Sequence, residues 1–284
     1  MRTIQDCLDA YQAHTEQVGC RNTAIPSVLK VIGSHLGARP VADLTTQDIE
    51  GMIAAEQQKG KRPSTVQSRV SYLHAAMRYA QQCGKLASLP YFPTLKFYNA
   101  RTGFFEAEEF QAILSHLAEP YADIARLGYE TGWRLSEILG LHWSQVDRHQ
   151  KTITLGVTKN GHGRVLPLSN GRAAVIERRQ QVRTYGNRLV EWVFHVEGER
   201  ITRDRFWRAW VVAREAAGLP TKLFHDLRRT AARDMIAAGL DYQTAMQITG
   251  HRTMSMFLRY QITDLRSLSR GLDALDTHRQ RQIA

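Results

Sequence analysis

His225-Asp226-Leu227-Arg228-Arg229-Thr230 is followed by Thr249-Gly250-His251-Arg252 and then by Phe257-Leu258-Arg259-Tyr260, and well ahead of them stands Thr131-Gly132-Trp133-Arg134-Leu135-Ser136-Glu137-Ile138. With Lys159 in between, these stretches order a phenol, two imidazoles, several guanidiniums and an ammonium along one chain. Such a set can supply an attacking oxygen, clamps for a phosphate and proton donors. No member is diagnostic alone. A lone histidine is more often structural, and a His-x-x-Arg pair is common. The information lies in the order, the spacing and the local setting: Gly132 precedes Arg134 at what reads as a helix start, and Gly250 precedes His251.

Composition narrows the partners. The chain has 284 residues, 43% of them hydrophobic, enough for one large domain or two modest ones with real cores. Its formal net charge of +11 favours a polyanion, because Lys and Arg gain affinity by displacing counterions from phosphates. A merely soluble basic protein is the plainer reading of charge alone. Cys7, Cys20 and Cys83 form an odd set without C-x-x-C spacing, which argues against a disulfide framework or zinc site and fits a reducing cytosol. Met1-Arg2-Thr3-Ile4-Gln5-Asp6 meets an acid before any apolar run, and no stretch reaches the length of a membrane span. The expectation is a cytoplasmic, nucleoid-associated protein without a membrane anchor.

Upstream of the motifs the chain reads as helices only. Thr3 and Asp6 form a capping-box pattern ahead of Ile4, Leu8, Tyr11 and Val18, a second helix covers Ile25 to Leu36, and a third follows Thr46-Gln47-Asp48. The clearest opens at Pro63-Ser64, runs Val66, Val70, Leu73, Met77 and Ala80 along one stripe, and stops at Gly84. Ser64, Gln67, Ser68, Arg69 and Ser71 lie off that stripe and suit DNA phosphates and base edges; an ordinary solvated helix face is the alternative. Leu89-Pro90-Tyr91-Phe92-Pro93 and the basic stretch after it read as a linker. Helices resume at Glu106, with Phe110, Ile113, Leu114 and Leu117 in register. Residues 151–157 then alternate, Asn160-Gly161 turns the chain and Val165-Leu166-Pro167-Leu168 returns, a β-hairpin with Lys159 at its tip. A later helix carries Phe206, Trp210, Ala213 and Ala217 and ends at Gly218.

The motifs resemble the catalytic domain of the tyrosine recombinases, and Ser64-Thr65-Val66-Gln67-Ser68-Arg69-Val70-Ser71-Tyr72-Leu73 is similar to the last major helix of that family's core-binding domain. The resemblance implies a mainly α, two-domain architecture with a small β-hairpin or sheet in the catalytic domain. Residues 1–90 would be a helical DNA-binding domain, 91–103 a linker, 104–275 the catalytic domain and 276–284 a tail, with no arm domain ahead of the first helix. It implies a site-specific recombinase that cleaves and rejoins DNA through a 3′-phosphotyrosyl bond. Tyr260 would be the nucleophile, Arg134 and Arg228 the phosphate clamps, Lys159 the general acid, and His225 and His251 the site imidazoles, His251 donating to a phosphate oxygen. Glu137 would orient a neighbouring Arg or His, and Arg164, Arg229 and Arg252 would contact DNA, Arg229 either there or in packing. No cofactor or metal is implied. The partners would be double-stranded DNA carrying paired sites, a homotetramer on it, and accessory factors that set direction.

Two positions depart from the family pattern: Phe257 stands where a Thr is common and Ile262 where a His is frequent. Leu265, Leu268, Leu272 and Leu275 form an apolar stripe that packs within the subunit or, as the resemblance implies, docks on a neighbouring one. A type IB topoisomerase would use the same residues, and a silent DNA-binding relative would have lost one of them. A metal-dependent nuclease would need carboxylates that Asp226, Glu130 and Glu137 do not cluster to provide.

Overall fold

Thr3 and Thr45 open two helices by the same device. The Thr3 hydroxyl accepts from the Asp6 N–H (3.2 Å) while the Asp6 carboxylate accepts from the Thr3 N–H (3.1 Å), and Thr45 and Asp48 repeat the exchange. Each pair satisfies donors that a first helical turn leaves over. The helices are α1 (Ile4–Gln17) and α3 (Thr46–Gln58), with α2 (Ile25–Leu36) between them and α4 (Pro63–Gln82) after, Pro63 at the first turn and Gly84 just past the end at φ 70°. The computed structural model describes residues 1–20, 22–97, 103–156, 163–169 and 171–258, and positions 269, 272, 273, 275, 276, 279 and 280. It divides into two units, Met1–Ala100 and Arg101–Ala284. Among the described residues no helix is long and apolar enough to cross a membrane.

In the first unit the expected stripe of α4, Val66 through Ala80, is the buried one and packs with Ile4, Leu8, Ile32, Ile49 and Met52. The chain after α4 stays with this core. Leu86, Leu89, Phe92 and Leu95 pack against it, Thr46 Oγ1 donates to the Tyr91 carbonyl (3.1 Å), and the Leu95 N–H donates to Gln67 Oε1 (2.7 Å). The stretch read as linker from residue 91 is therefore folded back on α4 as far as Leu95, and Gln67, expected at DNA, holds it there.

Arg69 also departs from expectation. Glu56 on α3 is 1% exposed, and its carboxylate takes His35 Nε2 at 2.7 Å, Lys59 Nζ at 3.0 Å and the Arg69 guanidinium. A buried carboxylate is tolerable only when paired, so Arg69 turns inward to it instead of presenting its charge to a phosphate. Burial, then the charges of Lys59 and Arg69, hold the His35 pKa below its ordinary value. Ser68 and Ser71 are exposed, Ser64 half-buried.

The second unit is built on α5 (Ala107–Ser115), α6 (Tyr121–Thr131), α7 (Leu135–Leu139), α8 (Gly171–Gln181), α9 (Arg203–Ala216), α10 (Phe224–Ala237), α11 (Tyr242–Thr249) and α12 (Met254–Leu258). Its core joins Phe105, Ile124, Leu127, Trp133, Phe206, Trp210 and Leu227, with Phe224 edge-on to Phe206 and Trp210 at 5.1 and 5.5 Å. Strands β1 (Val146–Asp147), β2 (Thr152–Leu155) and β3 (Arg164–Pro167) form an antiparallel sheet, paired Val146↔Ile153 and from Thr152↔Pro167 to Leu155↔Arg164. The hairpin is as expected; β1 extends it. Two short hairpins, β4 (Thr184–Tyr185) with β5 (Arg188–Leu189) and β6 (His195–Val196) with β7 (Glu199–Arg200), stand where only helices were read.

If Arg69 serves Glu56, Arg69→Ala should cost about 3 kcal/mol in urea unfolding of the full chain, because it strips a charge partner from a buried carboxylate.

Candidate active site

Arg228 is 2% exposed on α10, and its guanidinium is held by partners far away in sequence. Nη1 donates to the carbonyls of Gly132 (2.7 Å) and Thr249, and Nε donates to His251 Nε2 (3.1 Å). Two left-handed glycines allow this approach. Gly132 ends α6 at φ 65°, where an added Cβ would meet Ala231 and Thr249 side-chain atoms at 3.1 Å, and Gly250 ends α11 at φ 73°. A side chain at either would be strained and would hold the segments apart.

The contacts fix the His251 tautomer. Arg228 Nε can only donate, so His251 Nε2 carries the lone pair and Nδ1 the proton. Nδ1–H then donates to Thr249 Oγ1 (2.7 Å), whose own hydroxyl donates to the Ala245 carbonyl (2.7 Å). The ring is 7% exposed, and its burial, followed by the charges of Arg228 and Arg134, pushes its pKa down to about 3. A neutral imidazole has one N–H, here donated to Thr249, and its other nitrogen braces Arg228. Thr249 was not singled out in the sequence, yet its carbonyl holds the arginine and its hydroxyl holds the histidine.

Arg134, a third exposed at its side chain, precedes α7 in extended conformation. Its N–H donates to Glu137 Oε2 (3.0 Å) and its Nη1 to Glu137 Oε1 (3.1 Å), so Glu137 orients Arg134 as expected. The same bond occupies the Arg134 backbone N–H. Burial alone would raise the Glu137 pKa, but Arg164, the Arg134 N–H and the Arg134 charge outweigh it and set it below the ordinary value. Arg164 lies 2.9 Å from Glu137 Oε2 with a 12% exposed side chain, which is not the posture of the DNA contact expected of it.

His225 keeps solvent contact at the start of α10; the protein packed around its ring, then the Arg228 charge, lower its pKa despite the Asp226 carboxylate. Arg229 is 4% exposed and stacks on Phe104, 5.0 Å from the ring centroid, so of its two expected roles it takes packing. Arg252 is exposed. An open cleft of about 980 Å³ is lined by Arg134, Arg164, His251, Arg252, Met246 and Met254. Phe257, the departure from the family pattern, is 1% exposed and edge-on to His251 (5.2 Å) and Tyr242 (6.0 Å), which seats α12 on α10 and α11. Lys159 and Tyr260 lie outside the described residues, as do Leu265 and Leu268; Leu272 and Leu275 are exposed. Asp226, Glu130 and Glu137 are engaged separately: Asp226 accepts the Leu223 N–H, Glu130 pairs with Arg172, and Glu137 serves Arg134 and Arg164.

Residues 103–265, more than half the chain and all of the cleft just described, match the phage integrase family. The chain belongs to that family. Among its phage integrase relatives it is 34% identical to the shufflon-specific DNA recombinase of Escherichia coli over 57% of this chain and 39% of that protein. It is 32% identical to tyrosine recombinase XerC of Roseiflexus castenholzii over 45% of this chain and 42% of that one, and 26% identical to the integrase of Salmonella phage P22 over 69% and 53%. The chain thus spans about half or less of the length of these curated relatives. In fold it is similar to a lambda integrase dimer bound to a COC′ core site, with a TM-score of 0.78 at 20% identity over 93% of this chain and 97% of that one. The Tn1549 transposon integrase in complex with circular intermediate DNA gives 0.77 at 17% identity over 96% and 99%. At these identities the likeness establishes the tyrosine recombinase fold.

The buried neutral His251 makes stability depend on pH. Unfolded, it binds a proton below its ordinary 6.5; folded, it does not until about 3. The unfolded state therefore gains protons first, and stability should fall as pH drops from about 6.5 toward 3 and level off below. Histidines 35, 195 and 225, also held low, add the same sign. Urea midpoints at pH 7.5 and 5 should separate more in the wild type than in His251→Gln.

Proposed function

We propose that the chain is a site-specific DNA recombinase that cleaves and rejoins strands through a 3′-phosphotyrosyl bond on Tyr260. The observation that carries this reading is that Arg134 opens onto a cleft whose wall includes His251, the ring that braces the locked, desolvated Arg228, in a member of the phage integrase family. Attack on a phosphodiester builds charge on the non-bridging oxygens, and two permanently charged, planar guanidiniums offset it most effectively where water is excluded and no reorganisation is needed. The Tyr260 oxygen bonds to phosphorus, the 5′-oxygen leaves with a proton from Lys159, and the phenolic proton passes to solvent or to a neighbouring imidazole. Rejoining reverses the step when a 5′-hydroxyl attacks the phosphotyrosine. The bond energy is kept in the intermediate, so the exchange itself calls for neither ATP nor a metal.

The partners on this reading are double-stranded DNA with paired recombination sites, further copies of the chain and accessory factors that set direction. A lambda integrase tetramer has been seen on a Holliday junction, and a tetramer is proposed here by that likeness. The polar residues Ser64, Ser68 and Ser71 of α4 and Arg252 at the cleft are the proposed DNA contacts that remain open to solvent. The nucleoid is the corresponding proposed location.

A nicked suicide duplex tests the chemistry. The wild type should form a denaturant-resistant adduct, while Tyr260→Phe should bind the same DNA and form none; an adduct in that variant overturns the assignment. Arg134→Ala, at a partly exposed position, should fold and lose about 10²–10³-fold in adduct formation. Recombined products should require paired sites, whereas relaxation of any plasmid would mark a topoisomerase.

A further inference from the structure

Arg164 opens β3, five residues after Lys159 in sequence, and its side chain turns back into the protein. Nη2 lies 2.9 Å from Glu137 Oε2, Nη1 donates to the Ile248 carbonyl at 3.3 Å, and the guanidinium carbon sits 5.5 Å from the centroid of the Trp133 ring. The Ile248 carbonyl also accepts from Trp133 Nε1 at 2.9 Å. Every one of these partners adjoins a site residue. Trp133 precedes Arg134, Glu137 holds Arg134 at both its N–H and its guanidinium, and Ile248 precedes Thr249, whose carbonyl holds Arg228. Gly250 completes the arrangement, since a Cβ there would collide with the Arg164 guanidinium.

We infer that Arg164 is a positioning residue for strand cleavage: it ties the strand that follows Lys159 to the Glu137–Arg134 pair and to the Thr249–His251 segment, and does not itself contact DNA. This rests on the recombinase reading of the cleft. Its charge is matched by Glu137 and its planar face is covered by Trp133, so little of it is left for a phosphate. Without it, Glu137 Oε2 keeps only the Arg134 N–H, and the carboxylate holds the Arg134 guanidinium in a looser register. Lysine can keep the charge opposite Glu137 but cannot also span to Ile248 and stack on Trp133.

The experiment measures single-turnover cleavage of a suicide duplex at saturating DNA, well below each variant's melting transition, together with the salt dependence of DNA binding. Arg164→Met should slow cleavage about 10- to 100-fold, the loss expected when a reacting geometry slips by an ångström, while the slope of log Kobs against log[salt] stays at the wild-type value. Arg164→Lys should fall between. Arg164→Met/Glu137→Gln, which leaves no uncompensated buried carboxylate and so keeps the test open if the single variant folds poorly, should cleave no more slowly than the slower single variant. A slope smaller by about one phosphate contact, a wild-type rate in Arg164→Met, or additive losses in the double variant overturn the inference. If the wild type itself forms no adduct, the recombinase reading fails and this inference goes with it; an adduct in the wild type with unaltered variants removes the inference alone.

Discussion

The second unit is organised around a guanidinium that has been taken out of water. Arg228 is 2% exposed, and a cation so placed has to recover in hydrogen bonds what it loses in hydration. Its recorded acceptors are the Gly132 carbonyl at the end of α6, the Thr249 carbonyl at the end of α11 and the His251 ring just beyond. The two carbonyls are helix-terminal groups, which have no partner within their own helices. One side chain therefore closes two helix ends, and both can come close only because Gly132 and Gly250 adopt left-handed conformations without a Cβ. The fold brings the motifs together, and the motifs in turn supply the bonds that make this part of the fold stable.

Concentrating cations has a second effect. Arg134 and Arg164 share one carboxylate, Glu137, and the charges of Arg228 and Arg134 lower the pKa of His251 and His225 further than burial alone does. Both imidazoles are thereby held neutral at pH 7.

Much of the fold was legible in the sequence because its signals are local. The capping pair at Thr3, the Val66–Ala80 stripe and the Ile153/Leu155 alternation each need only a few neighbouring residues to be read, and each appears in the structure. The hairpins β4–β5 and β6–β7 were missed because strands of two residues carry no period. Their signal was in the turns, Gly186-Asn187 and Glu197-Gly198, with both glycines at positive φ. In the site, Glu137 was assigned through its spacing to Arg134, but the bracing of Arg228 by Thr249 could not be read, since a backbone carbonyl leaves no mark in sequence.

The arginines placed at DNA by the sequence and found turned inward had a common, overlooked signal: the period of the elements around them. Ile49, Met52 and Ile53 define the buried stripe of α3, and Glu56 continues it at helical spacing, so a carboxylate was bound to arrive in the core and require a cation. Arg69 answers that demand from the next helix. In β3, Leu166 and the following Leu168 face the core while Val165 is 64% exposed, and alternation by two puts Arg164 on the Leu166 side. A basic side chain on the inner face of a strand must find its anion inside the protein, and Glu137 is there. Net charge is thus a poor guide to which arginines face outward: it gives only the excess of 38 Lys and Arg over 27 Asp and Glu, while some of those cations are paired with carboxylates inside each unit, and the face an arginine occupies decides whether its charge reaches solvent.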